Sequence, residues 1–253
     1  MPKYIDSHCH LQDCTDINSA ISHMTAAGVV GAICNATSPT DWDIVVDLSQ
    51  KYSCVYGCIG VHLWNIVGLI PGWNDKMREI LRRFPTLMVG EVGLDKNHPN
   101  MPTQESVFIS QMKIACDMAR PIFIHCVGAW ERMLHILKLN RRNLPPVMIA
   151  HSFTGSVEIM QRLASEYDFY FSYSPVIMDT GRVRVAECIR MTPSNRILVE
   201  SDNSNPAVVV DVIRRIAEIK SIAMNDMADI VYKNTIGILE NGQTAQNAFA
   251  VWK

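Results

Sequence analysis

The sequence predicts an α/β protein folded as a (β/α)8 TIM barrel, one domain spanning residues 1–253. Three observations carry that expectation. Eight short apolar runs alternate with eight longer stretches of helical periodicity, the order expected of parallel βαβ units. The runs are nearly continuous in apolar residues, as strands are when helices cover both faces of a sheet. The length of 253 residues matches the roughly 250 that one such barrel uses, whereas an open doubly wound sheet seldom needs eight units.

The elements follow in order. Tyr4–Cys9 is the first expected strand, and Ile17–Ala27 is a helix behind Asp16, a residue type that caps helix N-termini. Val29–Ala36 leads to a helix over Thr40–Lys51, which has acidic residues in its first turn. Cys54–Val61 precedes Asn74–Phe84, and Thr86–Val92 precedes Thr103–Ala119. Pro121–Cys126 is followed by Ala129–Leu139, and Pro146–His151 by Ser156–Glu166. Phe169–Tyr173 leads to Gly181–Met191, and Arg196–Ser201 to Pro206–Ala223. A further helix, Met224–Leu239, is expected to close the C-terminal end. No linker, repeat or low-complexity stretch divides the chain.

Hydrophobic residues make up 48% of the chain, ample for a buried core, and the net charge is -2. A near-neutral chain sets up no global field for nucleic acid or membranes, so a polyanion must be drawn by local cations or bound metal. The eight cysteines include Cys34, Cys54, Cys58, Cys116, Cys126 and Cys188 in apolar segments, and no Cys-x-x-Cys pair occurs. They read as free thiols, small buried hydrophobes in a reducing compartment, rather than as disulfides or a thiolate zinc site. The start, Met1 to Asp6, lacks the apolar stretch of a signal peptide, and no run of about 18 apolar residues marks a membrane span. The expectation is a cytoplasmic protein with no membrane partner.

Ligand-type side chains gather at the ends of the expected strands. His8 and His10 end the first, His62 follows the third, Glu91 ends the fourth, His125 the fifth, His151 the sixth and Asp202 the eighth. Barrel enzymes carry their catalytic groups at the C-terminal ends of the strands. Residues i and i+2 of a strand share a face, so His8 and His10 point together into the barrel mouth. Two imidazoles buried side by side without partners are unfavourable, and a shared cation removes the problem.

Singly, each residue has an ordinary structural role open to it. His125 or His151 fits a hydrogen-bonded structural histidine, Glu91 a carboxylate paired with an arginine, and Asp202 a helix N-cap. Jointly, four histidines, a glutamate and an aspartate on one rim point to a metal site built from His8, His10, Glu91, His125, His151 and Asp202. Trp64 beside His62 marks a pocket-lining loop, so His62 and Trp64 read as substrate contacts, and Trp130 after the fifth strand as a third. Asp95 is expected to steady the Glu91 segment or to stand just behind it, and Asp6 is left outside the site as a turn residue.

Ile5-Asp6-Ser7-His8-Cys9-His10-Leu11, Gly60-Val61-His62-Leu63-Trp64, Gly90-Glu91-Val92-Gly93-Leu94-Asp95, Ile124-His125-Cys126, Ala150-His151-Ser152-Phe153-Thr154-Gly155 and Val199-Glu200-Ser201-Asp202 occur in that order. As an ordered set they resemble the TatD family of metal-dependent deoxyribonucleases, TIM-barrel hydrolases of the amidohydrolase superfamily. Asn234-Thr235 resembles that family's last-helix pattern as well. The resemblance implies a site for two divalent metal ions. His8, His10, Glu91 and Asp202 would hold one; Glu91, His125 and His151 would hold the other, with Glu91 bridging. Three departures concern the substrate side. Cys126-Val127-Gly128 stands where the family often has an arginine, Glu200-Ser201-Asp202 where it tends to have Glu-Thr-Asp, and Asn203-Ser204-Asn205-Pro206 is shorter than the usual stretch.

The implied chemistry is attack by a metal-activated water, with Asp202 and Glu91 as the catalytic carboxylates and Asp202 as general base and then acid. Imidazole and carboxylate ligands together suit zinc, manganese or, less well, magnesium. The implied substrate is DNA, cleaved at phosphodiester bonds in an exonuclease-like way. Lys96, Arg132, Arg141, Arg142, Arg182 and Arg184 are candidate cations for it, with Trp64, Trp73 and Trp130 as stacking platforms. Each also fits ordinary solvated surface. A small phosphoester, amide, ester or lactone substrate on the same scaffold is the alternative, and a non-catalytic metal-binding protein a third reading.

Overall fold

Apolar β-branched and aromatic residues bounded by polar turns set the eight strands: β1 Tyr4–Cys9, β2 Val29–Asn35, β3 Val55–Ile59, β4 Met88–Asp95, β5 Ile122–Val127, β6 Met148–Ala150, β7 Tyr170–Tyr173 and β8 Ile197–Val199. The computed structural model describes residues 2–250, with side chains described to residue 240. Met1 and residues 251–253, the ends of the expected domain, lie outside the described residues. The strands form one parallel sheet in the order β1 to β8. The helices between them are α1 Ile17–Ala26, α2 Trp42–Lys51, α3 Trp73–Arg83, α4 Met101–Asp117, α5 Trp130–Leu139, α6 Val157–Tyr167 and α7 Val183–Met191. Two more follow β8: α8 Val209–Lys220 and α9 Met224–Ala250. Asp16 caps α1 by accepting from the Ser19 amide, and Ser156 caps α6 by accepting from Ile159.

The sheet buries two apolar layers. Inside the barrel, Ile33, Cys58, Met88, Phe123, Ile149 and Leu198 meet Ile238 and Leu239 of α9. Asn234 of the same helix donates from Nδ2 to the carbonyls of Ser194 and Ile197, at the start of β8. Helix α9 therefore plugs the N-terminal mouth of the barrel and leaves the opposite mouth free. Outside, the helices bury Trp42, Met77, Phe108, Met133, Leu163 and Ile213 against the strands. Each such side chain stabilises the fold by about 1.5–3 kcal/mol relative to exposure. Among the described residues no helix is long and apolar enough to cross a membrane.

Closure between β8 and β1 uses no regular ladder. The Asp202 amide donates to the His8 carbonyl (3.0 Å), and the His10 amide donates to the Asn203 carbonyl (2.9 Å). Asp6 Oδ1 accepts from both the His8 and the Ser201 amides, each at 3.0 Å. A buried carboxylate thus stands in for a carbonyl and stitches the seam. Asp6, expected inside the first strand with only a structural role, holds the seam from within β1.

Two element boundaries bear on the site. β4 runs on to Asp95, so Glu91 lies in mid-strand rather than at its end, where a register shift against β5 falls between Val89 and Val92. The strand continues because Gly93 lets β4 approach β5 closely: a Cβ there would lie 1.9 Å from the His125 carbonyl oxygen. β6 and β8 are three residues each, so His151 and Asp202 stand on the loops just beyond them.

Candidate metal centre

The free mouth of the barrel opens onto a cavity of about 570 Å³, lined in part by His10, His62, Glu91, His125, His151 and Asp202. Glu91 is its hub. Its Oε1 lies 2.9 Å from His151 Nε2, 3.1 Å from His125 Nδ1 and 3.2 Å from His62 Nε2. Its Oε2 lies 3.3 Å from His8 Nε2 and 3.6 Å from His10 Nε2. Asp202 Oδ1 reaches His10 Nε2 at 3.6 Å and His8 Nε2 at 3.9 Å, with about a third of its side chain (35%) exposed at the mouth.

Backbone contacts fix these side chains. The Glu91 amide donates to the Ala36 carbonyl, that of His62 to Thr37 and that of His151 to Ile124. Asp202 adopts a left-handed φ of 53°, a conformation that Asp tolerates better than most residues. His8 is fully buried and its ring stacks on that of His151, with centroids 4.0 Å apart.

The outer partners of each imidazole decide which nitrogen is free. His10 Nδ1 faces the Asn35 carbonyl at 2.9 Å and so carries the proton, which leaves the Nε2 lone pair pointing at the carboxylates. Gln12 donates to the same carbonyl at 2.8 Å. His151 Nδ1 faces Glu200 Oε1 at 3.3 Å, which likewise frees Nε2. Glu200 Oε1 also accepts the Ser152 amide at 2.7 Å. His62 is the opposite case. Its Nδ1 accepts from the Trp64 amide at 3.4 Å, so the proton sits on Nε2. His62 is therefore set up to donate rather than to ligate.

Charge and burial pull against each other here. Burial opposes ionisation of Glu91, but the His151 charge and the His125 and His151 hydrogen bonds hold it well below the usual carboxylate range. Burial opposes charge on His10 too, yet Asp202 and Glu91 raise it to about 9. Asp202 is drawn down to about 2, against its burial, by His10, His151 and His8. For His151, burial is outweighed by Glu91 and Glu200, and its pKa rises well above the ordinary value. His8 moves downward, through burial and then the His151 charge, so it stays a neutral base.

Buried polar atoms short of hydrogen bonds collect in the same place: His8 Nδ1 and His125 Nε2 have no hydrogen-bond partner, and His8 Nε2 and His62 Nε2 meet Glu91 without hydrogen-bond geometry. Such atoms are costly in a folded interior unless something else binds them. Three overlapping groups place their ligand atoms within 4.8 Å of one another: His8, His151 and Asp202; His8, His10 and Glu91; His62, Glu91 and His125. The donor set, imidazoles that can give up a proton to a cation beside two ionised carboxylates, fits divalent cations.

A family model described as "TatD related DNase" matches residues 5–240. The chain belongs to the TatD family. The matched span takes in every residue of the TatD-type centre just described. Among relatives of this TatD chain, the "3'-5' ssDNA/RNA exonuclease TatD" of Citrobacter koseri is 28% identical over 190 residues, covering 74% of this chain and 72% of its own length. The "Uncharacterized metal-dependent hydrolase YabD" of Bacillus subtilis is 26% identical over 246 residues, with 90% and 96% covered. The crystal structure of YJJV, a TatD homologue from Escherichia coli K12, superposes with a TM-score of 0.86 at 22% identity, over 93% of this chain and 97% of that one. That likeness establishes the eight-stranded parallel barrel. As a TatD-family member the chain is a metal-dependent hydrolase.

The remaining expected site residues fall in different places. Trp64 lines the cavity mouth, 60% exposed, with its ring edge-on to His62 at 4.6 Å. Trp130 does not line the cavity. Its ring packs on Phe153 at 4.9 Å, and it walls a neighbouring groove with Lys96 and Arg132. Asp95 ties the turn after β4 instead of touching Glu91: its Oδ1 accepts from Asn97, and its amide donates to Gln104. Of the proposed cations, Arg182 alone lines the cavity. In the sequence Glu200 stands out only within Val199-Glu200-Ser201-Asp202. Its signal was a carboxylate closing an apolar strand, two residues before Asp202.

Proposed function

We propose that this TatD-family chain is a divalent-metal-dependent exonuclease that hydrolyses phosphodiester bonds of single-stranded DNA. The observation that carries the reading is Glu91, one buried carboxylate with imidazoles on both oxygens and an open cavity beside it. The names of the relatives supply the substrate class: the Citrobacter koseri protein is described as acting on ssDNA and RNA. His8, His10, Glu91 and Asp202 would hold one cation, and Glu91, His125 and His151 a second. The spatial grouping differs in setting His62 with Glu91 and His125. The Trp64 amide on His62 Nδ1 favours His62 as a hydrogen-bond donor to substrate.

When bound, the cations lower the pKa of a water and neutralise charge gathering on the phosphoryl group. Zinc, manganese and magnesium are the candidates. Asp202, ionised at neutral pH and exposed to the cavity, accepts the proton of the attacking water and returns it to the leaving oxygen. His62 Nε2–H donates to a phosphate oxygen as charge builds there. Glu200 and the Asn35 carbonyl keep His151 and His10 in their ligating tautomers.

A parallel assay tests the reading. The metal-loaded chain is offered single-stranded DNA, with nucleotide release followed from the 3′ end, beside N-acyl and lactone substrates. Metal-stimulated nucleotide release that EDTA abolishes is the expected result. Hydrolysis of the acyl or lactone substrates alone would overturn it.

A further inference from the structure

A second cavity, of about 540 Å³, shares a wall with the catalytic one. Trp64 lines both, and Thr37 of the first is followed directly by Ser38 of the second. The segment after β3 forms most of the wall, which reaches Trp73 and Lys76 on α3. Its lip is apolar and exposed, with Trp64 at 60%, Ile70 at 77% and Val67 at 79%. Contiguous apolar surface of this kind marks a binding site more often than idle surface. Lys76 is exposed at the same rim, with no ion-pair partner among the described residues.

We infer that this groove seats the nucleotide next to the scissile phosphate, its base on Trp64, Trp73 and Ile70 and its backbone phosphate on Lys76. The inference rests on the phosphodiesterase reading of the metal centre. Aromatic rings with an adjacent cation are the combination that holds single strands without reading sequence, because every base has a face to stack and every linkage a charge. The cavity volume lies in the range of small-ligand sites. Continuity with the catalytic cavity gives the strand a path out of the site. The groove around Trp130 is a poorer platform, since Trp130 is packed on Phe153 and Arg132 is paired with Glu105.

The test compares two substrates on the metal-loaded full chain: a short oligothymidylate, and bis(p-nitrophenyl) phosphate, a diester with no base and no second phosphate. Ile70→Asp and Lys76→Glu alter exposed residues outside the metal cavity. Each is expected to raise KM for the oligothymidylate about tenfold, the effect of losing one base or phosphate contact, with kcat/KM for the small diester unchanged. Trp64→Ala is expected to raise the oligothymidylate KM as well. A wild-type KM in the first two variants would overturn the inference, and so would an equal loss on both substrates. A dimer that Ile70→Asp converts to monomer, with KM unmoved, would assign the lip to self-association instead. If the wild type cleaves neither diester, the phosphodiesterase reading fails separately. Fluorescence anisotropy of labelled oligothymidylate in EDTA then decides the groove, which predicts weaker binding by both variants.

Discussion

Glu200 offers the sharpest test of how the metal centre is built. It meets the cavity only from behind, through His151 and the adjacent Ser152, is fully buried, and accepts two hydrogen bonds on one oxygen, from the Ser152 amide at 2.7 Å and His151 Nδ1 at 3.3 Å. Glu200→Gln keeps the shape and one acceptor oxygen while removing the charge. A hydrogen bond to a charged group contributes about 1.5–3 kcal/mol, against about 0.5–1.5 for a neutral pair. Two bonds stripped of charge assistance therefore weaken the hold on the His151–Ser152 pair by about 2 kcal/mol. At about 1.4 kcal/mol per tenfold, cation affinity should fall about 30-fold, inside the 10–100-fold range for partners of metal ligands. Removing a buried carboxylate also relieves its desolvation, so Tm should stay within about 4 °C of wild type. Competition with a chromophoric chelator measures the affinity, and thermal denaturation the stability. Glu200→Leu is the control: it strands the Ser152 amide and should lower stability by a further 1–3 kcal/mol or so. Wild-type affinity in Glu200→Gln would refute the positioning role.

Other outcomes follow from the same geometry. Asp202→Asn should reduce kcat about 10²–10⁴-fold with an unchanged circular dichroism spectrum, and full retention of hydrolysis would remove Asp202 from proton transfer. Gly93→Ala should destabilise by about 4 kcal/mol or more in urea unfolding, because its Cβ would meet the His125 carbonyl; a wild-type midpoint would contradict the β4–β5 register. His10 has its folded pKa raised to about 9. Its charged contact with Asp202 therefore stabilises the cation-free protein fully below the unfolded pKa of about 6.5, and this is lost as pH rises through about 9. A cation must displace that proton, so calorimetry in buffers of different ionisation enthalpy should show proton release on loading, with affinity rising towards pH 9 or so. No proton release would mean that His10 is not a ligand.

The residues that carry regular periodicity were legible in the sequence. β1 has the expected bounds, Tyr4–Cys9, because Ile5 and Cys9 bury and the Asp6 carboxyl accepts the His8 and Ser201 amides within the extended strand. Helix α2 starts two residues late, at Trp42, because Asp41 turns back to accept from the Thr37 and Ser38 amides. That local competition is invisible in apolar spacing. His8, His10, Glu91, His125, His151 and Asp202 are brought to one mouth, as ordered strand ends require. The continuation of β4 past Glu91 was not legible, since Gly93 reads as a break and only the facing His125 backbone shows why it is not. The direction of Trp130 was equally hidden, because a ring beside a strand end can face the cavity or Phe153, and Phe153 offers the apolar contact. His62 shows the same limit: its tautomer is set by the Trp64 amide, a backbone group that residue types do not reveal.

The seam between β8 and β1 has a consequence for assembly on the ribosome. His8 is made long before Asp202 and Asn203, whose backbone groups bond those of His8 and His10. A nascent or truncated chain that stops before β8 lacks Asp202, lacks Glu200 behind His151, and leaves the Asp6 carboxylate without the Ser201 amide. Its early histidines can be present without being organised. On the proposed assignment of Asp202, hydrolytic competence arrives only with β8, and copies that stop before it are expected to be inert.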